Sequence, residues 1–185
     1  MEKSYMLLAN GFEEIEALAT LDMLRRAGID VITASIHTST QVTGAHNITV
    51  SADTLLSSLP TPLEAQYIIL PGGMPGAQNL ADNPQVRQIL LHQNLNNRNI
   101  AAICASPAVV LAPLGILDNR NATCYPGFEN ALTNATYCPD TPVITDHNIT
   151  TAQGPGATFA FATAIIENLK GHDTADNVAA GMLIH

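Results

Sequence analysis

The chain has 185 residues and a mass of 19.5 kDa, enough for one domain that buries roughly 70% of its unfolded surface without disulfides or metals. Seven Lys and Arg against 16 Asp and Glu leave a net charge of -9, which repels phosphate backbones and anionic lipid heads and argues against nucleic-acid or membrane partners. No apolar run approaches the about 18 residues of a membrane span, and 15 Asn with 18 Thr outnumber the charged residues as polar surface.

The first stretch, a short apolar run followed by Glu13, Glu14 and Glu16, reads as a strand and a helix start, not a signal peptide. Residues 4–9 suit a buried parallel strand. After the turn Asn10-Gly11, a helix is predicted over about 13–27, with Ile15, Leu18, Leu21 and Leu24 as its buried stripe. Arg25 and Arg26 in its last turn and Gly28 beyond it suit the dipole and the cap. Residues 31–36 read as the second strand and 41–52 as a small hairpin-like excursion. Residues 66–70 form another buried strand, ending abruptly at Pro71-Gly72-Gly73. A helix over 84–96 begins with a well-placed proline. Residues 99–104 are again a strand, and a helix starts at once over about 107–114. Residues 143–145 and 149–152 pair around Asp146-His147-Asn148. Gly154-Pro155-Gly156 opens a helix to Lys170 with Phe161, Ile165 and Leu169 on one face and Gly171 past its end; a final short helix runs to His185.

Strands and helices in this order predict a single-domain α/β sandwich with a mostly parallel sheet, whose ligands sit at the carboxyl ends of the strands. Those ends are Asn10-Gly11, Pro71-Gly72-Gly73 and Cys104. Cys104 stands where a buried strand meets a predicted helix, a tight turn that tolerates only small neighbours, and the window is Ala102-Ile103-Cys104-Ala105-Ser106. The helix start favours the thiolate, so a thiol pKa below that of a free cysteine is expected. On local sequence alone, a small buried hydrophobe is the competing reading. The adjacent glycines Gly72 and Gly73 let the backbone turn its N–H groups toward a neighbouring oxyanion, although most such runs are plain turns. Of Glu13, Glu14 and Glu16, at least two are expected to complement the helix dipole. One can point inward as a protonated partner of the thiol, and helical spacing does not say which.

The remaining signals are sparse. Gly154-x-Gly156 begins a dinucleotide fingerprint, but Phe159 stands where the third glycine belongs, and there is no phosphate-binding GxxxxGK[ST]. Cys104, Cys124 and Cys138 show no CxxC and no zinc spacing; without a signal peptide they read as thiols in a reducing cytoplasm, with a Cys124–Cys138 bridge as the alternative on paper. The six histidines, His37, His46, His92, His147, His172 and His185, are scattered. No metal and no cofactor are expected.

Taken together, Asn10-Gly11-x-Glu13-Glu14-x-Glu16, Leu70-Pro71-Gly72-Gly73-x-x-Gly76-Ala77, Ala101-Ala102-Ile103-Cys104-Ala105 and Gln153-Gly154-Pro155-Gly156 resemble the deglycase branch of the ThiJ/PfpI superfamily, over about residues 4–170. The resemblance implies a flavodoxin-like (class I glutamine amidotransferase-like) three-layer sandwich, a cytoplasmic homodimer, and no cofactor. By motif position it implies Cys104 as nucleophile and oxidisable thiol, Glu16 as its protonated partner, and Gly72 and Gly73 beside the oxyanion. Ala105, Tyr125, Gly154 and Pro155 line the pocket on the same basis. Many relatives carry a histidine where this chain has Ala105, and the closer branch often has one where this chain has Tyr125, before Pro126. Peptidase activity is therefore disfavoured, since acyl transfer wants a base beside the nucleophile. Arg26 matches an arginine near the family's dimer contact, whereas His46 replaces another.

Two functions follow. In the first, Cys104 attacks glyoxal, methylglyoxal or a hemithioacetal or aminocarbinol derived from them, with Glu16 moving protons; the substrate is a small aldehyde, a thiol adduct or a glycated protein. In the second, Cys104 is a redox sensor or the switch of a chaperone, its oxidised form hydrogen-bonded by Glu16.

Overall fold

Strand β1 (Ser4–Leu8) is buried along its whole length because it lies inside a sheet with helices on both faces. The computed structural model describes residues 3–184. After β1 come helix α1 (Glu14–Arg26), β2 (Val31–Ser35), the antiparallel hairpin β3 (Gln41–Thr43) and β4 (Thr49–Ser51), and β5 (Thr54–Leu55). Strand β6 (Tyr67–Leu70) leads into α2 (Gly76–Asp82) and α3 (Pro84–Leu95), and β7 (Asn99–Ile103) leads into a π-helical turn over Pro107–Leu111. A parallel ribbon of β8 (Asn121–Ala122) and β9 (Thr136–Tyr137), then β10 (Val143–Asp146), β11 (Ile149–Ala152), α4 (Thr158–Lys170) and α5 (His172–Gly181) complete the chain. The helix expected to reach His185 ends at Gly181, and His185 lies outside the described residues.

The seven-stranded sheet has the order β10-β11-β7-β6-β1-β2-β5, and only β10, at one edge, runs antiparallel. From β1 the chain winds outward to β2 and β5, and from β6 it winds the other way to β7 and β11. The crevice at such a reversal is where a doubly wound sheet holds its ligand. Helices α1, α4 and α5 pack together in one layer, and α2 and α3 form the other. No helix among the described residues is long and apolar enough to cross a membrane.

Three expectations need correction. The stripe Ile15, Leu18, Leu21 and Leu24 is not the inward face of α1: Ile15 is 54% exposed and Leu18 37%, whereas Glu16, Ala17, Thr20, Met23 and Leu24 are buried. A helix turns about 100° per residue, so residues nine apart, such as Ile15 and Leu24, lie on opposite sides. Second, helix α2 stands where no element was expected, between Pro71-Gly72-Gly73 and the helix over 84–96. Third, no α-helix follows Cys104. Pro113 offers no N–H to the ladder, and the segment becomes the π-helical turn followed by a 3₁₀ turn over Ala112–Leu114.

Candidate active site

Strands β1, β6 and β7 are neighbours, and the loops that leave their carboxyl ends carry Glu16, Gly72–Gly73 and Cys104. Cys104 follows β7 directly, and its N–H still reaches across the sheet to the Ala152 carbonyl at 2.9 Å. Its backbone then turns into the left-handed region, φ 66°, a conformation that costs a residue with a side chain about 1–3 kcal/mol. The surroundings over-determine it. Tyr125 donates its N–H to the Cys104 carbonyl at 2.8 Å, Val109 donates to the Ala105 carbonyl at 2.9 Å, and the buried Ser106 hydroxyl donates to the Pro71 carbonyl at 2.6 Å. Ala102, Ala105 and Ser106 are small and fully enclosed, which leaves room for the turn. The sulfur-bearing residue is 8% exposed.

Glu16 reaches this turn from the first turn of α1. Glu13 caps that helix: its Oε2 accepts the Glu16 N–H at 2.7 Å, and its own N–H donates to the Gly72 carbonyl at 3.0 Å. The cap fixes the direction of the Glu16 side chain, which is 1% exposed and hydrogen-bonded to Cys104. Its Oε2 accepts the Gly72 N–H at 2.7 Å, and its Oε1 is buried with no nitrogen or oxygen partner. A buried carboxylate with a bare oxygen is a poor anion, whereas a carboxylic acid donating to sulfur is satisfied. Burial, above all, pushes Glu16 up to about 7. Glu14 diverges from it: both of its oxygens bind His46, at 2.7 Å to the backbone N–H and 2.8 Å to Nδ1. Burial raises the Glu14 pKa, but these hydrogen bonds outweigh it and the net direction is down.

The expected low thiol pKa is not what the environment produces. Burial, then the charge and hydrogen bond of an ionised Glu16, push Cys104 up to about 12, against smaller opposing effects from the Gly73 and Ala105 amides. The short π-helical turn also lacks the aligned peptides of the helix that the expectation relied on. Cys104 and Glu16 are therefore a coupled pair, both held above their ordinary values mainly by burial, with a proton between oxygen and sulfur. Thiolate character comes from the position of that proton, not from a low intrinsic value.

The two glycines divide the work differently from the expectation. Gly72 does not offer its amide to an oxyanion, because Glu16 already accepts it. Its contribution is the missing side chain: a Cβ there would lie 2.5 Å from Cys104 Cβ and 2.8 Å from Glu16 Oε2 and the Ile103 carbonyl. Gly73, at φ 87°, and Ala105 are the residues whose N–H groups face the sulfur. Tyr125, Gly154 and Pro155 border a surface cleft of about 310 Å³, and Tyr125 ties it to this turn through its amide; Ala105, expected to line the same pocket, is not among the cleft's lining residues. Arg26 lies away from the thiol, paired with Asp22 at 2.8 Å. Cys104, Cys124 and Cys138 are free thiols, and burial pushes that of Cys124 up to about 11. The Ser106–Pro71 tie and the Tyr125 amide are parts of the site that the motifs did not show; only the small size of Ser106 pointed to it.

Comparison with known proteins identifies the family. Residues 2–168 match the DJ-1/PfpI family. Protein DJ-1 homolog A of Arabidopsis thaliana is 38% identical over 178 residues, which are 96% of this chain and 45% of that protein. The chain thus spans less than half the length of the Arabidopsis relatives it matches. A Caenorhabditis elegans protein named glutathione-independent glyoxalase DJR-1.2 is 36% identical over 168 residues, 90% of this chain and 87% of its own. The crystal structure of Drosophila melanogaster DJ-1beta superposes with a TM-score of 0.94 at 35% identity, covering 100% of both chains. The motif resemblance, the doubly wound sheet and a match over nearly the whole sequence converge, and the chain belongs to the DJ-1/PfpI family.

Proposed function

We propose that the protein is a cofactor-independent glyoxalase of the deglycase type, with Cys104 as nucleophile and Glu16 as proton carrier. The observation that carries this reading is the buried Glu16–Cys104 hydrogen bond, with the Gly73 and Ala105 amides directed at the same sulfur. The sulfur adds to the aldehyde carbon of an α-oxoaldehyde, and the Glu16 proton passes to the aldehyde oxygen, giving a hemithioacetal. The Glu16 carboxylate then removes the hydrogen from that carbon and returns a proton to its neighbour, with the amides of Gly73 and Ala105 stabilising the developing oxyanion. The result is a thioester of a 2-hydroxy acid, and one water hydrolyses it to the acid and the free thiol. Oxidation of one carbon is matched by reduction of the next, so no external oxidant enters. The name of the Caenorhabditis elegans relative supports the same chemistry. Adducts of these aldehydes with protein thiols and amines present the same carbon and fall within reach of the same steps.

The test is lactate formation from methylglyoxal. Cys104→Ala is expected to lower kcat/KM by at least about 1,000-fold, the usual scale for removing a covalent nucleophile. Activity retained in that variant overturns the reading. If neither protein forms lactate while mild peroxide adds two oxygens at Cys104, the thiol serves redox sensing instead.

We also propose a homodimer, formed through the outward face of α1. Ile15 and Leu18 are exposed there, and Ile48, 53% exposed, sits alongside, its N–H 3.5 Å from Glu14 Oε1. Light scattering is expected to give twice the chain mass, and Leu18→Glu to give the monomer; a monomeric native protein refutes the assembly.

A further inference from the structure

A cleft formed by loops hydrogen-bonded to the backbone of the Cys104 turn bears on which aldehyde the site takes. It is lined by Tyr125, Pro126, Pro142, Gly154, Pro155 and Ala157 and measures about 310 Å³, several times what the few atoms of glyoxal occupy. Two of its walls are tied to the nucleophile's own turn. The Tyr125 amide donates to the Cys104 carbonyl at 2.8 Å, and the Cys104 amide donates at 2.9 Å to the carbonyl of Ala152, two residues before Gly154.

The lining contains no charged side chain. Its one amide, Gln153, is already engaged: the side chain donates to the Pro139 carbonyl and the backbone N–H to the Pro142 carbonyl. The Tyr125 ring, 45% exposed, lies against Gly154, where an added Cβ would meet Cδ2 at 3.0 Å. Phe128 braces it edge-on, with ring centroids 6.4 Å apart. A ligand therefore meets proline rings, an aromatic ring and one phenol hydroxyl. A carboxylate entering the cleft would find no cation there, in a protein whose net charge is already -9.

We propose that this cleft binds the substituent of the α-oxoaldehyde and selects an uncharged aryl or branched apolar group, with phenylglyoxal as the simplest example. Glyoxal, which leaves the cleft to water, and adducts that carry carboxylates, such as glutathione hemithioacetals, are the substrates it discriminates against. The inference rests on the glyoxalase reading above, and its test separates binding from turnover.

Binding is read by NMR titration of 2-hydroxyacetophenone and hydroxyacetone, uncharged ketones that lack the reactive aldehyde, into the native protein and into Tyr125→Ala. The aryl ketone is expected to bind at least about tenfold tighter than the alkyl one and to shift the amides of Tyr125, Gly154 and Ala157. Tyr125→Ala is expected to remove most of that difference without weakening hydroxyacetone. Equal affinities, no binding of the aryl ketone at millimolar concentration, or shifts confined to other residues overturn the subsite. In turnover, kcat/KM for phenylglyoxal is expected to exceed that for glyoxal at least about tenfold; equal values also overturn it. Absence of Cys104-dependent turnover with every aldehyde, combined with selective binding of the aryl ketone, sinks the glyoxalase reading and leaves the subsite standing.

Discussion

Gly72→Ala is expected to lower stability by about 2–4 kcal/mol and to dismantle the thiol site with it. The added methyl would meet Cys104 Cβ at 2.5 Å and the Ile103 carbonyl at 2.8 Å. Neither neighbour is the free end of a flexible side chain. Gly72 follows β6 and Cys104 follows β7, strands paired in parallel from Tyr67 with Asn99 to Leu70 with Ala102, so relief of the clash requires moving the sheet. Glu16 Oε2, at 2.8 Å from the same point, would lose its bond to the Gly72 amide. Thermal unfolding reads the loss as a fall in Tm of about 5–15 °C. Gly181→Ala, where nothing lies within 4 Å of the added carbon, is the control and should change little. A Gly72→Ala protein that melts with the native one would show that the sheet yields at this point.

The second large effect has opposite signs for stability and for activity. Glu16 has a folded pKa of about 7, above its ordinary 4.5, with burial as the main cause. Because the folded value is raised, the stability held by the proton is fully present below about pH 4.5 and is lost as pH rises through about 7. The difference corresponds to about 3 kcal/mol. Glutamine cannot ionise, but its carbonyl can accept the Gly72 N–H and its amide can donate to sulfur. Urea unfolding of Glu16→Gln is therefore expected to match the native protein near pH 4 and to exceed it at pH 8, by up to about 3 kcal/mol. Lactate formation is expected to fall at least about 100-fold, because the proton carrier is gone. Stability curves that stay parallel from pH 4 to pH 8 would mean that Glu16 does not titrate in this window. The expected outcome is a trade of stability for function at a buried acid.

The strand and helix order was legible because it depends on short-range pattern. Residues such as Tyr67–Leu70 and Asn99–Ile103 are apolar without interruption, as strands covered on both faces must be. Cys104 was legible for a related reason: it stands between a strand and a tight turn with small residues at Ala102, Ala105 and Ser106 around it. Apolar residues three apart do not mark the inward face of α1, since that spacing drifts around the helix, and the inward face mixes Glu16 and Thr20 with Ala17, Met23 and Leu24.

What the amino-acid order determined by itself is the α/β architecture, the loops at the strand ends and the cysteine among them, because each follows from local periodicity and local sterics. Local pattern left the three acids undistinguished and motif position pointed to Glu16; the tertiary structure fixes the role of each. Glu13 caps, Glu14 binds His46 and Glu16 meets the sulfur, according to how the start of α1 is seated against the Gly72 loop. It also decided that Gly72 gives its amide to Glu16 while Gly73 faces the thiol, and that burial holds the thiol proton instead of releasing it. These outcomes depend on desolvation and on hydrogen bonds between residues about 30 to 90 positions apart in the chain, quantities that no local pattern encodes.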